Sequence, residues 1–195
     1  MNVPENEPKE PRSVTLLLHC PLRLGLAAGL TQFIYTHGGR ILYHEQYVDT
    51  DGSITKENKS EVEDEQMALL QSHRIDVVVL ARYMQILTGR FVEAYLSRMI
   101  NIHHAFLPAF PGARPYYSAR ERGVKMIGAT SHYVTETLDA GPIIEQDVLH
   151  VTHRHSVQDL IRSGRDLEKV VLSRAIRSHI EWKIIVHKGR TVVFH

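Results

Sequence analysis

The run Ile75-Asp76-Val77-Val78-Val79-Leu80-Ala81 is apolar on both of its alternating sides, broken only by Asp76 near its start. Successive side chains of a strand point to opposite faces of a sheet, so a run without polar alternation can be left in water on neither face. Such a run belongs to a parallel strand covered by further layers on both sides. It commits the chain to an α/β sheet flanked by helices.

The segments around it fit that plan. Val14-Thr15-Leu16-Leu17-Leu18 reads as a buried strand, Leu26, Leu30, Phe33 and Ile34 recur at helical spacing before Gly38-Gly39, and Arg40 to Val48 reads as a second strand, giving β-α-β. Thr55 is the expected N-cap of a polar helix over 56–73, with Val62, Leu69 and Leu70 as a narrow apolar stripe and the charges between them as a solvated face. A short helix over 91–98, a strand ending at His103, a helix over 115–122 and strands over 126–134 and 143–151 follow. Ser156 and Asp159 form a capping-box start for a helix reaching about Lys183, which Gly164 is expected to bend or interrupt. The last residues, 184–194, read as a hairpin turning at Lys188-Gly189.

Composition bounds what such a fold does. With 195 residues, 43% hydrophobic, the chain can bury one ordinary domain and a small appendage. Lys and Arg total 23 against 22 Asp and Glu, a net charge of +1, so no global field recruits nucleic acid or a membrane surface. The arginines of the last helix alternate with Asp159, Asp166, Glu168 and Glu181, which is a solvated face rather than an RNA-binding one. No apolar run is long enough to span a bilayer, residues 1–12 read as a charged, proline-containing flexible tail rather than a secretory signal, and Cys20 is the only cysteine. The expected setting is cytoplasmic, with a small-molecule partner. The 13 histidines include His103-His104 and His153-Arg154-His155, but neither pair has a convincing set of further ligands, so no metal site and no bound cofactor is expected.

Chemistry is concentrated where a strand ends. In Ile100-Asn101-Ile102-His103-His104-Ala105-Phe106-Leu107-Pro108, Asn101 and His103 lie two apart and face the same way, at the carboxyl edge where open α/β sheets bind ligands. His104 falls on the opposite face. A polar pair there also suits the capping of backbone groups, and Asp139, just before Gly141-Pro142, also suits a turn.

Taken together, NIHHAFLPAFPGARPYY and GATSHYVTETLDAGPIIEQDV resemble the folate-dependent formyltransferase superfamily, and within it the formyltetrahydrofolate deformylases. The resemblance covers about Thr55 to Phe194. It implies a formyltransferase-like, mostly parallel, Rossmann-like sheet and hydrolysis of 10-formyltetrahydrofolate to formate and tetrahydrofolate, within one-carbon metabolism and purine biosynthesis. It implies Asn101, His103 and Asp139 as the catalytic trio; a carboxylate beside an imidazole favours its charged form, so Asp139 is expected to hold His103 protonated. It also implies that the loop with Met84, Gln85, Ile86 and Leu87 lines the folate pocket. Ala105 stands where the family has a serine.

The phrase Cys20-Pro21-Leu22-Arg23-Leu24-Gly25 resembles the opening of the ACT module at the amino end of these deformylases. Only its first half is present before the chain passes at about Gly52 to a phrase from well inside the catalytic domain. The resulting organisation is a tail over 1–12, a partial ACT-like unit over 13–52 and an incomplete catalytic portion over 53–195. A missing internal segment predicts an exposed edge on strand 75–81, a second open edge on 40–48, and self-association into a homo-oligomer through them. Two other readings stay open: a glycinamide ribonucleotide formyltransferase-like enzyme, and an inactive remnant that binds or assembles.

Overall fold

The computed structural model describes the backbone of residues 14–18 and residues 58–81, 83, 86–108 and 115–194. The tail over 1–12, the helix expected around 26–34, the strand over 40–48, Thr55, Met84 and Gln85 lie outside the described residues. Among the described residues eleven elements follow in order: β1 (Val14–Leu18), α1 (Lys59–Ser72), β2 (Val77–Ala81), α2 (Gly89–Ala94), β3 (Met99–His103), α3 (Pro115–Glu121), β4 (Met126–Tyr133), β5 (Ile143–His150), α4 (Val157–Ile180), β6 (Ile184–His187) and β7 (Arg190–Val193).

β1 to β5 form one sheet in the order of the chain, and β6 pairs with β7 as a separate hairpin. β1, β2 and β3 run parallel, β4 opposes them, and β5 opposes β4, so four of the five strands share a direction. The apolar run is β2, second in the sheet. Val77 and Val79 pack on one face with Ile100, Ala129, Val171 and Ala175, while Val78 and Leu80 pack on the other with Leu70, Leu87, Phe91 and Met99. α4 covers the first face and α1 with α2 the second, as a run without alternation requires. Each fully buried aliphatic or aromatic side chain contributes roughly 1.5–3 kcal/mol relative to leaving it in water.

The exposed edge expected on strand 75–81 is absent. β1 lies parallel against β2 with Val14 opposite Val77 through to Leu18 opposite Ala81. An edge strand offers a row of unpaired N–H and C=O groups, and a five-residue extended segment in the same direction satisfies it. The strand that opens the 13–52 stretch is thus hydrogen-bonded into the sheet; the remainder of that stretch is not among the described residues.

Helix α1 also departs from its sequence pattern. Its N-cap is Asn58, whose carbonyl accepts from the Val62 N–H at 3.0 Å, so the helix begins three residues later than expected. Leu69 is exposed, whereas Glu63, assigned to a solvated face, is 2% exposed. An apolar stripe was the wrong guide here because the buried face carries polar partners.

Helix α4 starts at the expected capping box: the Ser156 hydroxyl accepts from the Asp159 N–H, and Asp159 accepts from the Ser156 N–H. It runs unbroken through Gly164. A Cβ there would stand 2.0 Å from the Tyr116 hydroxyl, which donates to Glu168 at 2.9 Å. The glycine admits α3 onto α4 rather than bending the helix. Alanine ordinarily stabilises a helix interior by about 1 kcal/mol over glycine. Here the collision outweighs that gain, and Gly164→Ala is expected to lower stability by about 1–3 kcal/mol, read from the urea unfolding midpoint.

Candidate active site

Antiparallel pairing of β3 with β4 places Asn101 opposite His132 and His103 opposite Thr130. Because Ile100 and Ile102 face α4, their neighbours Asn101 and His103 face the other way, and in β4 Ala129 and Tyr133 likewise send Thr130 and His132 to that side. Two polar positions from each strand therefore meet on one face. At the level of His132 the pairing of β4 with β5 shifts, with Ser131 opposite Glu145 and His132 opposite Ile143. Such a bulge bends the sheet locally and re-aims side chains.

The turn after β4 brings in Asp139. Its carboxylate lies 3.3 Å from Nδ1 of His103 and 3.7 Å from Nε2 of His132. Asn101 Nδ2 is 3.2 Å from the same His132 Nε2. The three residues expected from the sequence are thus brought together, and His132 joins them. His132 was missed, although Thr130-Ser131-His132 repeats the two-residue spacing of Asn101 and His103 within an otherwise apolar strand.

The protonation of His132 follows from its contacts. It is 3% exposed, and burial pushes its pKa below the ordinary 6.5, with the Tyr133 carbonyl and the Asp139 carboxylate opposing the shift. Nδ1 lies 2.9 Å from the Tyr133 carbonyl, to which it donates, so in the neutral ring Nε2 is the acceptor for the Asn101 amide. The nitrogen end of Asn101 is thereby set.

Backbone geometry holds the carboxylate. Asp139 has φ +54°, in the left-handed region where Asp and Asn are tolerated better than most side chains. Two residues on, a Cβ on Gly141 would come 1.7 Å from the Tyr133 carbonyl oxygen, the atom that accepts from His132. The Tyr133 N–H donates to the Pro142 carbonyl at 2.9 Å, tying turn to strand. Asp139 is therefore both a turn residue and a site residue.

A second set of bonds fixes the loop after β3. Thr130, fully buried, donates to the Ala105 carbonyl at 2.8 Å and accepts from the Leu107 N–H at 3.0 Å and from Gln146 Nε2 at 2.9 Å. Gln146 also donates to the Leu107 carbonyl at 3.1 Å. His104, one residue past the end of β3, has its ring 5.0 Å from that of His103 and 6.1 Å from that of Tyr116, which packs on α4.

In front of these residues is an open cleft, lined by Leu80, Tyr83, Leu87, Asn101, His132 and Asp139 among others. Ile86 is also in its wall, so two of the four loop residues expected there, Ile86 and Leu87, face it. His103 stands behind Asp139 and is 6% exposed. Tyr83, from the same loop, also lines the cleft; its phenol pKa is raised by burial and then by the Glu63 charge, so it stays a neutral hydrogen-bonding group. Among the described residues no group of three or more His, Cys, Asp or Glu side chains is placed to hold a metal ion, and no helix is long and apolar enough to cross a membrane.

The buried His132 has a pH signature. A histidine whose pKa is lower in the folded chain binds fewer protons there than in the unfolded one, so stability rises with pH. Its contribution is complete above about 6.5 and is lost as pH falls below that value. The urea midpoint of the chain should fall more steeply between about pH 7 and 5 than that of His132→Gln. Equal slopes would show that His132 is not buried as the neutral ring.

Comparison with known proteins places this geometry. Residues 37–176 match the formyl transferase family model. The formyltetrahydrofolate deformylase of Synechocystis is 62% identical over 141 residues, spanning 72% of this chain and 49% of that protein. The crystal structure of a formyltetrahydrofolate deformylase from Pseudomonas syringae superposes with a TM-score of 0.81 at 41% identity, covering 95% of this chain and 67% of that one. Glycinamide ribonucleotide transformylase 1 from Symbiobacterium toebii is more distant, with a TM-score of 0.74 at 29% identity over 93% of this chain and 80% of that one. The chain spans about half the length of the curated relatives it matches. By the family match and the similarity to these proteins, the chain belongs to the formyl transferase family, on its formyltetrahydrofolate deformylase branch.

Proposed function

We propose that the chain hydrolyses 10-formyltetrahydrofolate to formate and tetrahydrofolate. The observation that carries this reading is the convergence of Asn101, His132 and Asp139 on one end of an otherwise largely apolar cleft, with His103 against Asp139. Leu80, Ile86, Leu87, Val134 and Leu138 give the cleft apolar walls that suit a flat heteroaromatic ring. Met84 and Gln85, which lie outside the described residues, are proposed as folate contacts on the resemblance alone.

Hydrolysis of a formamide adds water to the carbonyl carbon, puts negative charge on its oxygen and then protonates the departing nitrogen. Asn101 has two amide N–H groups. With one directed to His132, the other serves the developing oxyanion, and the neutral His132 keeps the amide from rotating its oxygen towards that charge. Asp139 accepts a hydrogen bond from the attacking water, takes up its proton and passes it to the departing nitrogen, while a protonated His103 beside it places positive charge near the oxyanion. No metal or further cofactor takes part in this scheme. The setting is the cytoplasm, where formate release balances one-carbon supply for purine synthesis.

Formate release by the purified chain tests this directly. Asn101→Ala is expected to reduce kcat about 10²- to 10³-fold, the usual cost of an oxyanion donor. Asp139→Asn should abolish measurable turnover while leaving the fold intact, because Asn tolerates the same left-handed backbone. An unchanged rate in either variant would overturn the assignment. Glycinamide ribonucleotide formyltransferase-like transfer, favoured by the shared fold with the transformylases, would appear as formyl transfer to that amine without formate release.

The proposed assembly is a homo-oligomer. β1 covers the edge of β2, so among the described strands β1 is the edge of the sheet on that side, and pairing between chains is proposed there. Light scattering of the full chain should give a mass above 22.3 kDa, and a monodisperse monomer would count against it.

A further inference from the structure

The wall of the cleft formed by Tyr83 and residues 86–88 is tied to α1 through a stripe of polar side chains. Lys59, Glu63, Gln66 and Leu70 recur at i, i+4, i+7 and i+11, one face of a helix. Lys59 Nζ donates to the Ile86 carbonyl, and Ile86 lines the cleft. Glu63 accepts from the Thr88 N–H at 3.1 Å and from the Thr88 hydroxyl, and lies 3.9 Å from Lys59. Gln66, on the same stripe, lies near enough to the phenol of Tyr83, another lining residue, to oppose the rise in its pKa. Outside this stripe, Arg90 pairs with Asp64. Thr88 is the N-cap of α2 yet makes no side-chain cap bond of its own. Its hydroxyl is turned to Glu63 instead.

A buried carboxylate is retained at a cost unless its oxygens are satisfied, and Glu63 is satisfied by the backbone and side chain of one residue that adjoins the ligand wall. We propose that Glu63 is a positioning residue for substrate binding: through Thr88 it clamps the 86–88 wall onto α1 and so sets the affinity of the cleft for its flat ligand. Glu63 is 2% exposed and is not among the residues lining the cleft, so it acts through the wall. Holding a wall in its bound conformation removes the ordering cost that binding would otherwise carry, which affects affinity rather than the chemical step. This inference rests on the reading of the cleft as a folate site.

The test uses the full chain with Glu63→Gln, Thr88→Val and Thr88→Ser. Glu63→Gln and Thr88→Val should each raise KM for 10-formyltetrahydrofolate about ten-fold with kcat within about two-fold, while Thr88→Ser, which keeps the hydroxyl, should restore KM. Without ligand, amide exchange across residues 86–92 should quicken in Glu63→Gln and Thr88→Val and stay slow in Thr88→Ser. Unchanged exchange in folded Glu63→Gln and Thr88→Val overturns the clamp, as does a fall in kcat at constant KM. Absence of formate release by the unaltered chain counts against the deformylase reading alone. Exchange, together with calorimetric binding of tetrahydrofolate, then decides the clamp: quickened exchange with weaker binding supports it, and wild-type affinity in the variants overturns it.

Discussion

The register of β3 against β4 sets everything that the site does. With Asn101 opposite His132, the distance between an amide donor and an imidazole acceptor is a property of the sheet ladder rather than of two flexible side chains. A slip of one residue would turn Asn101 and His103 into the α4 face and bring Ile100 and Ile102 to the cleft. That slip would also bury two polar groups against Val171 and Ala175, in the apolar cluster that α4 makes with the sheet. The hydrophobic packing of one face thus enforces the polar geometry of the other.

Much of this was legible beforehand. The uninterrupted run of β2 announced a sheet covered on both faces, the spacing of Asn101 and His103 announced a shared face, and the Ser156 capping box announced the start of α4. Each signal is local, resting on the backbone period or on a contact three residues away. His132 was hidden for the opposite reason. Its role depends on which residue of β3 stands across from it and on a turn that returns Asp139 seven residues later, and neither is written in the pattern of β4 alone. The partner of β2 was hidden likewise, since parallel pairing of β1 joins segments about sixty residues apart in the chain.

Helix α1 shows how a hydrophobic pattern can mislead in a helix beside a site. Its apolar residues suggest a narrow stripe at Val62, Leu69 and Leu70, yet the residue sealed with Leu70 is Glu63. An apolar side chain gains from any dry surface, whereas a buried carboxylate gains only where donors are placed for it. The polar face therefore fixes the register of the 86–88 wall more specifically than leucines would. The charge pattern alone could not separate this arrangement from a solvated face, because the donors come from Thr88, twenty-five residues away.

The same logic explains why Asp139 sits where it does. A carboxylate on a strand could face His103 only at a position fixed by alternation, and β4 already uses its cleft-facing positions for Thr130 and His132. Placing the acid in the following turn frees it from that period, but the turn must then be held as firmly as a strand. A left-handed Asp139, a Gly141 pressed on the Tyr133 carbonyl and the bond from the Tyr133 N–H to Pro142 achieve this with backbone contacts. Because the Tyr133 carbonyl also accepts from His132, any change in the turn reaches the imidazole and, through it, the amide of Asn101. Acid, imidazole and amide are therefore set by one stretch of backbone, and their contributions to turnover will not be additive.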